Sequence, residues 1–467
     1  MRFVSTRGSA PALSFSDAIL AGLARDGGLY VPETWPQISP ANIEGMGGAY
    51  LPTATAVISP YLDGDSEAPA ADALAKILSD AYATFRHPSV TPLLEIAPDH
   101  YLLELFHGPT LAFKDVAMQF LARMMDHVLS GRGERATIVG ATSGDTGSAA
   151  IEAFRGRDNI DIFILHPEGR TSEVQRRQMT TVLDANVHNI AIRGTFDDCQ
   201  NIVKALFNHL EFRDRVKLSG VNSINWGRIV AQIVYYFKVA AQLGAPHRKI
   251  AFTVPTGNFG DIFAGYAAKR MGLPIHKLLI ATNENDILAR ALQTGRYETG
   301  SVIPTISPSM DIQVSSNFER LLFEALDRDG KAVNTLMQGL AQSGAFTIPE
   351  PALAAIRADF LAATTDEAAT RAAIRETYRK TGYLLDPHTA VGVNVGQRFA
   401  AGGVPMVTLA TAHPAKFPAA VHEATGIEPA LPDYMADLYS RPERYEILDN
   451  DAAAVEAFIA VRTRAAG

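Results

Sequence analysis

Residues 135–157, RATIVGATSGDTGSAAIEAFRGR, pass from an aliphatic, β-branched run through a Gly/Ser/Thr/Asp loop into an Ala-rich segment. ATIVGA has the composition of a strand, Thr142-Ser143-Gly144-Asp145-Thr146-Gly147 is turn chemistry, and a helix is expected from about Ser148. A strand that turns directly into a helix is half of a βαβ unit, and the plan recurs on both sides. YLLELF precedes a helix from about Phe113, IDIFILHP one from about Glu173, and NVHNIAI one from about Asp198. RKIAFTVP leads to a helix from about Ile262, followed by KLLIAT and the late run MVTLAT. The expected fold is α/β, with open, mostly parallel sheets flanked by helices. Residues 350–380 read as helices, and DAAAVEAFIAVRTRAAG as a closing surface helix.

Ahead of this pattern, residues 1–98 are rich in Gly and Pro, with helical spacing in FSDAILAGLA and DALAKILSDAYATF, and read as an N-terminal lobe. Residues 99–220 are expected to form a smaller α/β domain carrying Lys114 and the TSGDTG loop, and residues 221–467 a larger one carrying a second glycine loop. The 467 residues are 47% hydrophobic and 20% charged, enough for a large buried core. The net charge is −8, from 42 Lys and Arg against 50 Asp and Glu. No basic block stands ready to track a nucleic-acid backbone, and no apolar run has membrane-span length. The single Cys199 has no intramolecular disulfide partner, and neither HExxH nor paired Cys is present, so no metal site is expected. With no signal-like start, a cytoplasmic location is expected.

The second glycine loop lies in KIAFTVPTGNFGDIFAGYAAKRMG. Here Thr256, Gly257, Asn258, Phe259, Gly260 and Asp261 join a strand to a helix. A helix N-terminus leaves about four N–H groups without intrahelical partners and carries partial positive charge, which makes it a phosphate cradle. Without GK[ST] or GxGxxG, a simple phosphate handle is favoured over a nucleotide. The loop reads equally as an ordinary βα turn. In the first loop, the hydroxyls of Thr142, Ser143 and Thr146 suit a carboxylate or second phosphate, or serve as helix caps. Two such loops on one sheet favour a ligand, because open α/β folds bind at the carboxyl ends of their strands.

FHGPTLAFKDVAMQF, residues 106–120, sets Lys114 in the first turn of a helix whose Phe113, Ala117, Phe120, Leu121, Met124 and Val128 recur at buried spacing. Helix dipole and desolvation both disfavour an ammonium there, so its pKa is expected to fall. The alternative is a snorkelling lysine paired with Asp115 or another acid. A neutral amine together with a phosphate handle points to pyridoxal 5'-phosphate bound as a Schiff base.

HGPTLAFKD, GATSGDTGSAA, NSINWGR, PTGNFGD and TAHPAKF stand in this order across most of the chain, with LARDGGLYVP and TGYLLDPHTA between the termini. In that combination the chain resembles the threonine synthases, pyridoxal-phosphate enzymes of the tryptophan synthase β type (fold type II). The resemblance implies that Lys114 is the Schiff-base lysine and that Gly257, Asn258, Phe259, Gly260 and Asp261 hold the cofactor phosphate. Thr411 would meet the pyridine nitrogen. Thr142, Ser143 and Thr146 would bind the substrate amino acid, and Asn222, Ser223 and Arg228 its phosphate. Asn222 and Ser223 read also as caps of a helix starting near Trp226, Thr411 as a plain strand end, and Arg228 as half of a surface pair. Asp145 stands where many of these enzymes carry Asn beside the cofactor's phenolic oxygen. A carboxylate there is expected to be protonated, turned away or solvated.

The implied reaction converts O-phospho-L-homoserine and water to L-threonine and phosphate by γ-elimination and β-hydration, with Lys114 moving the protons. The implied partner is that small molecule, bound by a monomer or homodimer. Within the fold, a serine/threonine dehydratase or a related phosphoamino-acid lyase competes, and needs no second phosphate site. A phosphate- or nucleotide-binding module without catalysis is the reading from another class. His107 and His413 lie in matching motifs and suit orienting a loop as well as moving a proton.

Overall fold

The computed structural model describes residues 1–142, 144–400 and 402–466. The chain opens with an antiparallel pair, β1 (Phe3–Ser5) and β2 (Tyr30–Pro32), among helices Phe15–Ala21, Tyr50–Leu62 and Ala71–Tyr82. Then come β3 (Leu93–Ala97), β4 (His100–Glu104), β5 (Ala136–Ala141), β6 (Ile160–Pro167), β7 (Val187–Arg193), β8 (Leu218–Ser219), β9 (Ile250–Pro255) and β10 (Ile275–Thr282). β11 (Arg296–Glu298) and β12 (Ala345–Thr347) form a small antiparallel ribbon, before β13 (Phe360–Thr364), β14 (Met406–Ala410) and β15 (Glu446–Asp449).

Two main sheets result. One has the order β13-β10-β9-β14-β4-β3, parallel except for the β3–β4 edge hairpin; the other is the all-parallel β15-β7-β6-β5-β8. The fully buried strands β6 and β9 show why parallel strands read as continuous apolar runs, since helices cover both faces. Every residue of Trp226–Ala240 in helix Trp226–Gln242 is buried. Removing side chains such as Ile229, Val230, Ile233, Val234 and Phe237 from water contributes about 1.5–3 kcal/mol each, which makes this helix the spine of the large core. No helix among the described residues is long and apolar enough to cross a membrane.

The sheets depart from the expected division at three points. β4, inside the proposed 99–220 unit, pairs with β14 of the larger sheet, so Lys114 follows a strand of that sheet rather than of the smaller one. β15, in the proposed 221–467 unit, returns to β7 of the smaller sheet. β3, at the end of the proposed 1–98 lobe, is the edge of the larger sheet. Parallel pairing brings together strands that are distant in the chain, so contiguous ranges are poor guides to sheet membership. Residues 350–380 are not all helical either. FLAAT forms β13 between helices Glu350–Asp359 and Glu367–Thr381, because its backbone completes the edge of β10 and tertiary pairing overrides alanine's helix preference.

Candidate active site

One pocket at the carboxyl ends of the larger sheet is lined by Lys114, Asp145, Thr146, Ser223, Arg228, Gly257, Asn258, Phe259, Gly260, Asp261 and Thr411. Lys114 opens helix Lys114–Arg132, and the turn before it is fixed by a buried acid. The Thr110 N–H and hydroxyl donate to the two oxygens of Asp115 at 2.8 and 2.7 Å. A Cβ on Gly108 would stand 2.5 Å from that of Asp115, so only glycine lets the turn close. The same segment is bound to the end of β14: the Phe113 N–H donates to the Thr411 carbonyl (2.8 Å) and the His413 N–H to the Leu111 carbonyl (3.0 Å). Sheet pairing therefore sets Lys114 beside Thr411.

Lys114 is buried, and its ammonium is disfavoured as expected. Desolvation dominates, and the cations Arg228 and Lys416 push the same way against Asp145 at 3.5 Å. Asp145 itself is neither protonated nor solvated. Burial opposes its ionisation, but Lys416 at 3.0 Å, Lys114 and an amide donor from Gln175 at 2.9 Å outweigh it, holding the carboxyl far below its usual range. The Ser309 hydroxyl adds a fourth donor at 3.2 Å.

At the other end, helix Gly260–Arg270 starts after Phe259, whose φ of 64° is left-handed. Among the described residues no protein acceptor meets the N–H groups of Gly257 through Ile262, so they are available to an anion. A Cβ at Gly257 would fall 2.8 Å from the Ser309 carbonyl, closing the approach. Asp261 lies behind the loop. Tyr235 and Tyr236 donate to its Oδ1, while Oδ2 has no protein partner. Burial raises this carboxyl to about 6, against the two tyrosine bonds. Below about pH 6 it is neutral; above, it sets a negative charge beside the glycine loop. Asp261→Asn is thus expected to hold a phosphate monoester more tightly than the native chain at pH 8, on the order of tenfold, with the difference vanishing below pH 6. Titration of cofactor binding at the two pH values checks this.

Arg228 is buried in the first turn of the central helix, with one bond from Nη1 to the Val221 carbonyl (3.3 Å) and Nε unpartnered. It is not half of a surface pair. Ser223 joins it in the pocket, but Asn222 is exposed and outside the lining, and the residue that caps the helix is Asn225, accepting from the Gly227 N–H at 3.0 Å. Thr142 is also outside: its hydroxyl accepts from the N–H groups of Gly144 and Gly147 at 3.0 and 2.9 Å, closing the loop on itself. Thr146 reaches the pocket, in a helix that begins at Asp145. Ser143 lies outside the described residues. His413 accepts from the Ala415 N–H (3.2 Å) and His107 pairs with Glu104 (2.7 Å), so both brace local structure.

Along its length the chain matches three family models. Pyridoxal-phosphate dependent enzyme covers residues 85–406, flanked by Threonine synthase N terminus over 2–82 and Threonine synthase, C-terminal over 389–459. The threonine synthase of Pseudomonas aeruginosa is 54% identical over 98% of this chain and 98% of its own.

The chain belongs to the threonine synthase family.

Solved threonine synthases agree in three dimensions. The PLP-bound structure from Brucella melitensis is 60% identical with a TM-score of 0.97, covering 99% of this chain and 100% of that one. The Escherichia coli threonine synthase structure is 33% identical at 0.82, over 99% and 100%. As a threonine synthase, the enzyme depends on pyridoxal phosphate, and its residues fit that group: an uncharged-leaning amine, a ring-sized pocket and a row of free N–H groups for the phosphate. Sequence reasoning missed Lys416, Gln175, Ser309 and the pocket-lining His388, whose Nε2 accepts from the Ser309 N–H at 3.1 Å. Lys416 and His388 lay within TAHPAKF and DPHTA, motifs quoted for their resemblance without a role. Ser309 and Gln175 had no local signal, because they reach the site from loops and helices distant in sequence.

Proposed function

We propose that the enzyme converts O-phospho-L-homoserine and water to L-threonine and phosphate, with Lys114 moving the protons. The observation that supports this best is one pocket holding a buried amine between two separate anion sites, the Gly257–Asp261 loop and Arg228 with its unpartnered Nε. Pyridoxal phosphate, when bound, supplies an aldehyde for condensation with an amine and a conjugated ring that takes up negative charge from the substrate carbon. The N–H groups of residues 257–261 would hold its phosphate, and the neutral Thr411 hydroxyl would be the partner of its ring nitrogen. Lys114 Nζ, whose ammonium form is disfavoured by burial, takes the proton from the substrate Cα and serves protons at the neighbouring carbons. Arg228 and Ser223 bind the phosphate that departs from Cγ, where a guanidinium gives charge-assisted bonds. Thr146, at a helix N-terminus, is placed to hold the substrate carboxylate.

Incubation with O-phospho-L-homoserine should release phosphate and threonine in equal amounts. Phosphate accompanied by ammonia and a 2-oxo acid instead of threonine would favour the lyase alternative. Arg228→Ala should raise KM for the phosphorylated substrate about 10- to 100-fold, the worth of a charge-assisted bond, while the holoenzyme's visible absorbance stays unchanged. Turnover and spectra of the purified variant measure both.

A further inference from the structure

The segment 315–320 lies behind both anion sites and joins them to the N-terminal lobe. The Ser315 hydroxyl donates to the Gly257 carbonyl at 2.7 Å. Asn317, wholly buried, gives the next carbonyl, that of Asn258, two donors: its N–H at 3.1 Å and its Nδ2 at 2.8 Å. With these two carbonyls drawn backwards, the N–H groups of the loop are left to face the pocket. Nδ2 of Asn317 is shared with the Ser223 carbonyl at 3.2 Å, so one amide fastens the cofactor loop and the turn that presents Ser223 and Arg228.

Asn317 is in turn held by the lobe. Its Oδ1 accepts from Arg320, a fully buried guanidinium whose Nη2 donates to the Ile224 carbonyl at 2.6 Å and whose Nε donates to the Tyr30 carbonyl of β2 at 3.0 Å. That guanidinium stacks 5.6 Å over the Trp226 ring. Beside it, Glu319 accepts from the Thr6 hydroxyl at 2.6 Å and from Nε and Nη2 of Arg7, both at 3.1 Å. Four lobe and loop segments thus converge on Asn317, which leads helix Phe318–Ala325, and on Glu319 and Arg320 in its first turn.

We propose that the N-terminal lobe is a positioning element for catalysis: docked on Glu319 and Arg320, it fixes Asn317, which sets the spacing of the cofactor-phosphate loop and the substrate-phosphate turn. This rests on the reading of those two loops given above. Because Asn317 serves both loops with one amide, a change there moves two binding constants together, whereas a residue that only supports folding moves stability alone.

Two variants of the holoenzyme test it. Asn317→Ala removes the shared donor and leaves the N–H bond to Asn258. It should speed loss of the cofactor on dialysis and raise the inhibition constant of inorganic phosphate against substrate, each about tenfold for a lost buried hydrogen bond. Glu319→Gln keeps the shape of a buried side chain and a hydrogen-bonding oxygen for Thr6, weakening only the link to Thr6 and to the partly exposed Arg7, and should move both constants the same way by roughly threefold. The inference is overturned if either purified variant keeps both constants within twofold of the native chain, or shows only a lower melting temperature. The underlying reading fails separately, if the native enzyme takes no borohydride label on Lys114.

Discussion

Lys114→Ala is expected to lose the absorbance near the blue edge of the visible, to take no label from borohydride, and to fall in turnover by at least about 10⁴-fold. That factor is the upper range of general acid–base catalysis alone, and covalent attachment is lost besides. The fold should survive. Asp145 retains Lys416 at 3.0 Å and the Gln175 donor, so no carboxylate is left buried without a cation. A melting temperature close to the native value beside absent turnover is the diagnostic pair. Retained turnover with that absorbance gone would remove Lys114 from the reaction.

Lys416→Met should act by the opposite route. Lys416 is wholly buried, and its ammonium donates to the Thr110 carbonyl (2.7 Å) and Gln178 Oε1 (2.8 Å) as well as pairing with Asp145. Removing it leaves a buried carboxylate with Lys114 at 3.5 Å and the neutral Gln175 and Ser309 donors, and breaking a buried pair in this way costs about 3–5 kcal/mol, readable as a lower urea midpoint. Asp145 has a folded pKa below the ordinary aspartate value of 3.8, so its ionisation contributes stability above the unfolded pKa, lost as pH falls through the folded one. The variant should lose most of that contribution. Adding Asp145→Asn removes the stranded charge and should restore a large part of the loss, a coupling that a double-mutant cycle measures. Lys114 meanwhile loses a cation that disfavoured its ammonium form, so the pH for half-maximal turnover should move up. An unchanged pH profile in Lys416→Met would show that Lys416 serves packing only.

Lys416 bears on Asp145 as well. A carboxylate beside a phenolate-like oxygen, with its loop considered alone, is expected to be protonated, turned away or solvated, and the structure sets Lys416 and Lys114 against it at 3.0 and 3.5 Å. The missing charge comes from TAHPAKF, on a short turn after β14, and from a lysine that local sequence marks only as part of an apolar stretch. Thr142 and Asn222 lie outside the pocket lining for a related reason. Hydroxyl and amide side chains in βα loops close turns as readily as they bind ligands, and which they do depends on where the loop's own N–H groups point. The glycine loop of residues 257–261 was legible because strand, glycines and helix start are consecutive, and the burial of Lys114 because a cation in a buried helical turn is rare enough to carry meaning.

From its order of residues alone the chain specified alternating strands and helices, a desolvated amine and a glycine loop at a helix N-terminus, since periodicity, turn chemistry and capping act within about a dozen neighbouring residues. Only the tertiary structure decided that β4 joins β14 and β15 joins β7, that Asp145 is ionised between two lysines, and that Asn317 ties both anion loops to β2. Those facts depend on parallel pairing and on charges meeting in a low-dielectric interior, and neither force leaves a mark on the residues next in line.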